Sequence, residues 1–153
     1  MNIRRVYIDT SVVGGFIDPE FQEDTRQFFK MLEDGEMVFV VSDLMELELL
    51  EAPSIVGELL SRYSKHCFEK VCLTEEAMKL AASYIVEKVV GKSSVEDCRH
   101  IAIATIAKVD VLASWNFRHI VNLDKIRGYN SVNLRNGYSI LEIRSPKELL
   151  KNE

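Results

Sequence analysis

The sequence predicts an α/β fold with a mainly parallel central sheet, and three observations predict it. Residues 6–8 (Val-Tyr-Ile) and 37–41 (Met-Val-Phe-Val-Val) are apolar runs without the polar alternation of a half-solvated strand, and 109–114 reads as a third strand. Such runs suit strands covered by helices on both faces. Helical patterns lie between them, the alternation that builds parallel sheets. Polar residues follow each run, Asp9 after the first, Ser42 and Asp43 after the second, and Asn116 after the third. They stand at the carboxyl edge, where open α/β sheets bind ligands.

In chain order, the first strand gives way to a short helical turn or loop over 12–17 with Gly14 and Gly15. Phe21, Phe28, Phe29 and Leu32 recur at helical spacing among charges, so 19–34 reads as a surface helix closed by Gly35. Ser42 and Asp43 are N-cap candidates for a helix carrying Leu44, Leu47 and Leu50, with Leu47 and Leu50 toward the core. Pro53 fits the first turn of a helix over 54–65. A short strand over 68–73 precedes a helix from a Thr74 cap to about Val90. Glu96 and Asp97 open a helix that is apolar nearly all round and therefore buried. Residues 120–137 are polar and read as short turns, 140–143 as a last strand, and the chain from Pro146 as a frayed tail.

At 153 residues this is one domain, 1–153, with no repeats or linkers. A chain of this length buries roughly 68–70% of its unfolded surface, enough for a core without staples. No apolar run has the length of a membrane span, and no signal peptide is visible. Cys67, Cys72 and Cys98 lack paired spacing and read as reduced thiols of a cytoplasmic protein. Net charge is −5 and uneven: residues 1–114 carry 12 Lys and Arg against 20 Asp and Glu, residues 115–153 carry 7 against 4. This is not the overall charge of a sequence-independent duplex binder. A nucleic-acid substrate would need a local basic rim and bound cations.

Asp9, Asp97 and Asn116 stand at comparable places, so their side chains can converge on one crevice. Glu48 lies one and a half turns into the helix after the second strand. Clustered carboxylates repel unless a cation neutralises them, and Mg²⁺ or Mn²⁺ takes oxygen ligands of this kind. Each residue also has a plain structural role open to it. Asp9 caps the next helix, Asp97 complements a helix dipole, and Glu48 belongs to an acidic face with Asp43, Glu46 and Glu51. In the same way Asp110 makes a turn, His100 is a satisfied structural histidine, and Trp115 and Phe117 pack. Neither a nucleophile triad nor a Gly-rich phosphate loop is present.

Taken together, Tyr7-Ile8-Asp9-Thr10-Ser11, Val41-Ser42-Asp43-Leu44 leading to Glu48, Asp97-Cys98-Arg99-His100-Ile101-Ala102-Ile103-Ala104 and Asp110-Val111-Leu112-Ala113-Ser114-Trp115-Asn116-Phe117 resemble the PIN-domain family. In detail the chain is similar to the toxin nucleases of VapBC toxin–antitoxin pairs, over about residues 4–145. The resemblance implies a three-layer α/β/α sandwich and a Mg²⁺- or Mn²⁺-dependent ribonuclease. It also implies an RNA substrate, a small antitoxin protein as partner, a homodimer and no membrane association. It carries the family's acids onto Asp9, Glu48 and Asp97, with Glu46 the rival of Glu48. The fourth position, usually Asp, falls on Asn116, which would meet a metal through its amide oxygen or a water. Arg99, Arg118 and His119 are candidates to steer phosphate. The alternative is a catalytically weak PIN-like module that binds RNA or protein. A phosphatase with Asp9 as nucleophile ranks below both, because Ser11 stands where that chemistry wants a second acid.

Overall fold

The computed structural model describes residues 3–151. Five parallel strands form one sheet in the order β3-β2-β1-β4-β5. They are β1 (Arg4–Ile8), β2 (Met37–Ser42), β3 (Phe68–Val71), β4 (Val111–Ala113) and β5 (Ile143–Arg144). The seven α-helices are α1 (Thr10–Gly14), α2 (Gln22–Glu33), α3 (Asp43–Leu50), α4 (Ser54–Gly57), α5 (Glu75–Val86), α6 (Val95–Ile106) and α7 (Leu123–Arg135). Because side chains alternate along a strand, β1 serves two cores. Val6 and Ile8 pack with Phe28 and Phe29 of α2 and Met45 of α3. Tyr7 packs with α5, α6 and α7 on the opposite face. The result is the three-layer α/β/α sandwich. The order reverses between β1 and β4, and the carboxyl ends of those two strands flank the switch point where such sheets bind ligands.

Several elements differ from the sequence reading, each for a local reason. Residues 123–135 form a continuous helix rather than turns. Asn122 caps it through the Lys125 N–H, and Tyr129, Val132 and Asn133 are buried on one face. Its Gly128 admits Val89, whose Cγ1 would lie 2.7 Å from a Cβ. The helix expected over 54–65 stops after one turn, α4, and continues as 3₁₀ turns at Leu59–Arg62 and Lys65–Cys67, with Tyr63 extended between them. α3 turns Leu44, Met45 and Leu49 inward, whereas Leu47 and Leu50 are 64% and 80% exposed. Asp110 neither turns nor caps: its Oδ2 accepts the Arg5 N–H, extending the β1–β4 pairing. The last strand falls at Ile143–Arg144, and the segment after Pro146 forms a 3₁₀ turn whose Leu149 and Leu150 pack on the α2-side core. No helix among the described residues is long and apolar enough to cross a membrane.

Trp115, just past β4, ties the fold to the switch point. It stacks on Phe21 at 4.3 Å between ring centroids, and its Nε1–H donates to Thr25 Oγ1 at 2.9 Å. A Cβ on Gly15 would stand 2.6 Å from that same Thr25 oxygen and 2.7 Å from the Trp115 nitrogen. Gly15 has helical angles (φ −59°, ψ −21°), so close approach and not backbone freedom requires glycine there. Gly15→Ala is expected to destabilise the protein by about 1–3 kcal/mol, a melting-temperature drop of about 2–4 °C per kcal/mol. Gly14→Ala, where nothing lies within 4 Å, serves as the control and should melt no lower than wild type.

Candidate functional site

Asp9 follows β1 at the N-cap position of α1, yet its side chain makes no capping bond. It turns across the sheet edge instead. Oδ1 accepts from Ser11 Oγ and Oδ2 from Ser114 Oγ, both at 2.6 Å. The two hydroxyls in turn accept backbone N–H groups from the loop after β4: Trp115 to Ser11 Oγ at 2.9 Å and Asn116 to Ser114 Oγ at 3.0 Å. The carboxylate, only 5% exposed, is thus the hub joining the ends of β1 and β4. Burial pushes its pKa above the ordinary aspartate value, and the two serine bonds and nearby His100 only partly oppose that.

Glu48 reaches the same edge from α3. Its Oε1 accepts from Thr10 Oγ1 and pairs with His100 Nε2, each at 2.6 Å. The other ring nitrogen of His100 meets the Tyr7 hydroxyl at 2.6 Å, and that hydroxyl meets Ser42 Oγ at 2.8 Å. Ser42 Oγ also caps α3 by accepting the Met45 N–H. Because the Glu48 carboxylate only accepts, a neutral His100 gives it the Nε2–H, takes the Tyr7 proton on Nδ1, and leaves Ser42 to donate to Tyr7. Burial raises the pKa of Glu48, but the His100 bond and the Thr10 hydroxyl outweigh it and hold the carboxyl below the ordinary glutamate range.

Asp97 stands in the first turn of α6. Its Oδ1 accepts from Asn116 Nδ2 at 3.3 Å. The amide oxygen of Asn116 is taken by the backbone N–H groups of Arg118 and His119, at 3.2 and 2.9 Å. Asn116 therefore presents its NH₂ to the site and uses its oxygen to shape the loop. Burial, then the charge of Asp9 and more weakly that of Glu48, push the Asp97 pKa up. Asp9 and Glu48 thus both lie within electrostatic reach of Asp97 at the sheet edge.

Their donor set is carboxylate oxygen throughout, the chemistry that hard divalent cations accept. Glu48 Oε2 and Asp97 Oδ2 have no hydrogen-bond partner among the described residues. No three His, Cys, Asp or Glu side chains there stand at ligating spacing. The residue types fit Mg²⁺ or Mn²⁺, and binding would require the acids to draw together. Glu46 points away from this cluster and pairs with Lys70 at the surface. Arg99 is held by Glu96 at 3.2 Å, while Arg118 has no ion pair among the described residues and sits exposed beside Asn116. Sequence reasoning left Tyr7, His100 and Ser114 outside the site. The signals were a polar tip in an apolar strand, a histidine one turn after Asp97, and a serine ending β4 opposite Asp9.

No protein-family model matches the chain, and no curated protein matches it in sequence. Solved structures share its fold. VapC20 from Mycobacterium tuberculosis, described as a toxin that cleaves the Sarcin-Ricin loop, aligns with a TM-score of 0.56 at 12% identity over 74% of this chain and 91% of that one. FitAB bound to an IR36 DNA fragment aligns at 0.60 and 14%, over 97% and 99%. FitAcB from Neisseria gonorrhoeae aligns at 0.58 and 14%, over 94% and 99%. The chain therefore has the PIN-like α/β/α fold that its motifs implied.

Because the folded pKa of Asp97 lies above its ordinary value of 3.8, the folded state holds the proton more tightly. Stability of the metal-free protein falls as pH rises through the folded pKa and stays lower above it. In chelator, Asp97→Asn should melt above wild type at pH 8, with the gain shrinking toward acid pH. Asn116→Asp should do the reverse, since a carboxylate oxygen then faces Asp97 where an N–H donated. Melting curves at several pH values read both signs, and coincident curves would place these side chains outside one another's field.

Proposed function

We propose that this chain is a metal-dependent endoribonuclease and the toxin of a toxin–antitoxin pair, acting on RNA phosphodiester bonds. The observation that carries the reading is the convergence of Asp9, Glu48 and Asp97, from three separate elements, on the switch point of the sheet. The toxin and toxin–antitoxin structures that share its fold support the same assignment.

Asp9, Glu48 and Asp97 would hold Mg²⁺ or Mn²⁺. Bound there, the cation would supply charge neutralisation and Lewis acidity for in-line phosphodiester hydrolysis. The protein's own groups set the stage. Ser11 and Ser114 fix the Asp9 carboxylate, Thr10 and His100 fix Glu48, and the Asn116 amide fixes Asp97. Arg118 and His119 follow Asn116 on the open side, where they would attract the phosphate backbone. A small antitoxin protein is the partner we assign, since one structure of this fold is described as a toxin–antitoxin complex, from Klebsiella pneumoniae. A reducing cytoplasm suits the three free thiols.

One observation favours the alternative, an RNA- or protein-binding module: Asn116 turns its nitrogen, not its oxygen, to the acids. Cleavage of structured RNA with Mn²⁺ and with chelator separates the two. Hydrolysis should require Mn²⁺ and fall on the order of a hundredfold or more in Asp9→Asn, Asp97→Asn and Glu48→Gln. Glu46→Gln, which loses only an exposed pair with Lys70, should stay within about twofold of wild type. Binding of RNA without Mn²⁺-dependent cleavage would assign the module instead.

A further inference from the structure

We propose that His100 is a positioning residue for Glu48, and that the strut Ser42–Tyr7–His100 selects which oxygen of Glu48 remains free for a divalent cation. The inference rests on the reading of Glu48 as a metal ligand and goes beyond it to the residues that aim it.

Glu48 has the longest side chain of the acidic set. It is a long side chain on α3, whose neighbouring Leu47 and Leu50 are exposed, and its own side chain is 31% exposed. Left to itself such a side chain samples several rotamers. Two bonds restrain it, both on Oε1. Thr10 gives one, from a partly buried hydroxyl on short α1. His100 gives the other, from a ring whose side chain is 4% exposed and whose helix packs into the core.

The His100 ring has little freedom. Its Nδ1 is taken by the Tyr7 hydroxyl, Tyr7 is wholly buried in the central strand, and Ser42 fixes the hydroxyl from β2. A carboxylate only accepts, so Nε2–H donates to Glu48. In the neutral ring Nδ1 then accepts the Tyr7 proton, and Ser42 Oγ, which also receives the Met45 N–H, donates to Tyr7. Two strands and the buried helix thus fix a hydrogen at one point, and Oε1 docks on it. Oε2 has no hydrogen-bond partner among the described residues and is the oxygen left free to act as a single-oxygen ligand. The chain also explains a tyrosine in an otherwise apolar strand run, where phenylalanine would fill the same volume.

Groups that orient metal ligands in this way typically contribute about 10–100-fold in metal affinity. The test is Mn²⁺ titration by calorimetry, with binding checked by the paramagnetic signal of free Mn²⁺ and folding by circular dichroism. His100→Leu should weaken Mn²⁺ binding by about 10–100-fold, and His100→Gln, whose amide N–H lies near the place of Nε2, should recover most of it. Tyr7→Phe should weaken binding several-fold, and it carries the test if His100→Leu fails to fold. Wild-type affinity in folded His100→Leu or in Tyr7→Phe, with affinity lost in Glu48→Gln, overturns the role of His100 while leaving the metal site standing. Equal weakening in His100→Gln and His100→Leu also overturns it, since bulk alone would then matter. Wild-type affinity in Glu48→Gln overturns the metal reading and the role of His100 with it.

Discussion

Three carboxylates share one edge of a parallel sheet, and their mutual repulsion is the constraint that the surrounding structure is built to contain. Asp9 is buried and its pKa pushed up, Asp97 is raised partly by Asp9, and Glu48 is held down by His100 and Thr10. A protein selected for stability alone would not gather these groups, because burying a carboxylate without a counter-charge is unfavourable. Among the described residues, the side chains hydrogen-bonded to the three acids are hydroxyls, an imidazole and an amide, with no Lys or Arg. The nearby arginine Arg99 is tied to Glu96.

The fold holds the acids by exploiting its own topology. β1 is the central strand, so its two faces and its carboxyl end all do different work. Val6 and Ile8 bury against one helical layer and Tyr7 against the other, while Asp9 emerges at the edge. The reversal of strand order places the end of β4 beside it, and Ser114 closes the gap with a 2.6 Å bond. Trp115 then anchors the loop into the α2 layer through Thr25. A single residue's displacement in this loop would therefore move both the Asp9 cluster and the Asn116 amide.

What was legible in the sequence follows from period and position. Continuous apolar runs mark β1, β2 and β4, and an acid at the end of such a run is conspicuous, so Asp9 is legible locally; Asp97 is legible as an acid in the first turn of an apolar helix. Glu48 was reached by position while the packing of its helix was read incorrectly. Leu47 and Leu50 look like core residues, yet α3 lies where the sheet ends and buries Leu44, Met45 and Leu49. α7 was missed because Asn130, Asn133 and Gly128 lower helix propensity. Tertiary contacts overrule that: Asn133 is buried and bonded to Tyr84 and Thr105, and Gly128 makes room for Val89. The serine and histidine partners of the acids were invisible for a different reason. They act across the sheet, Ser114 over 105 residues and His100 over 52, and no local spacing encodes such a pairing.

Asn116 shows how one substitution of chemical type reshapes such a site. An aspartate there would have two acceptors, one to shape the loop and one facing Asp97. The amide keeps the first function, because its oxygen receives the Arg118 and His119 N–H groups. It inverts the second, because its nitrogen donates to Asp97 where an oxygen would repel it. The loop geometry is thus independent of whether the fourth group is charged, and the charge of the cluster can be set without disturbing the fold. With Asn, the acids number three and the apo site is less strained. With Asp, the attraction for cations would rise together with the penalty for lacking them. Under the proposed function, the residue at 116 would set the balance between the stability of the empty site and its hold on a cation.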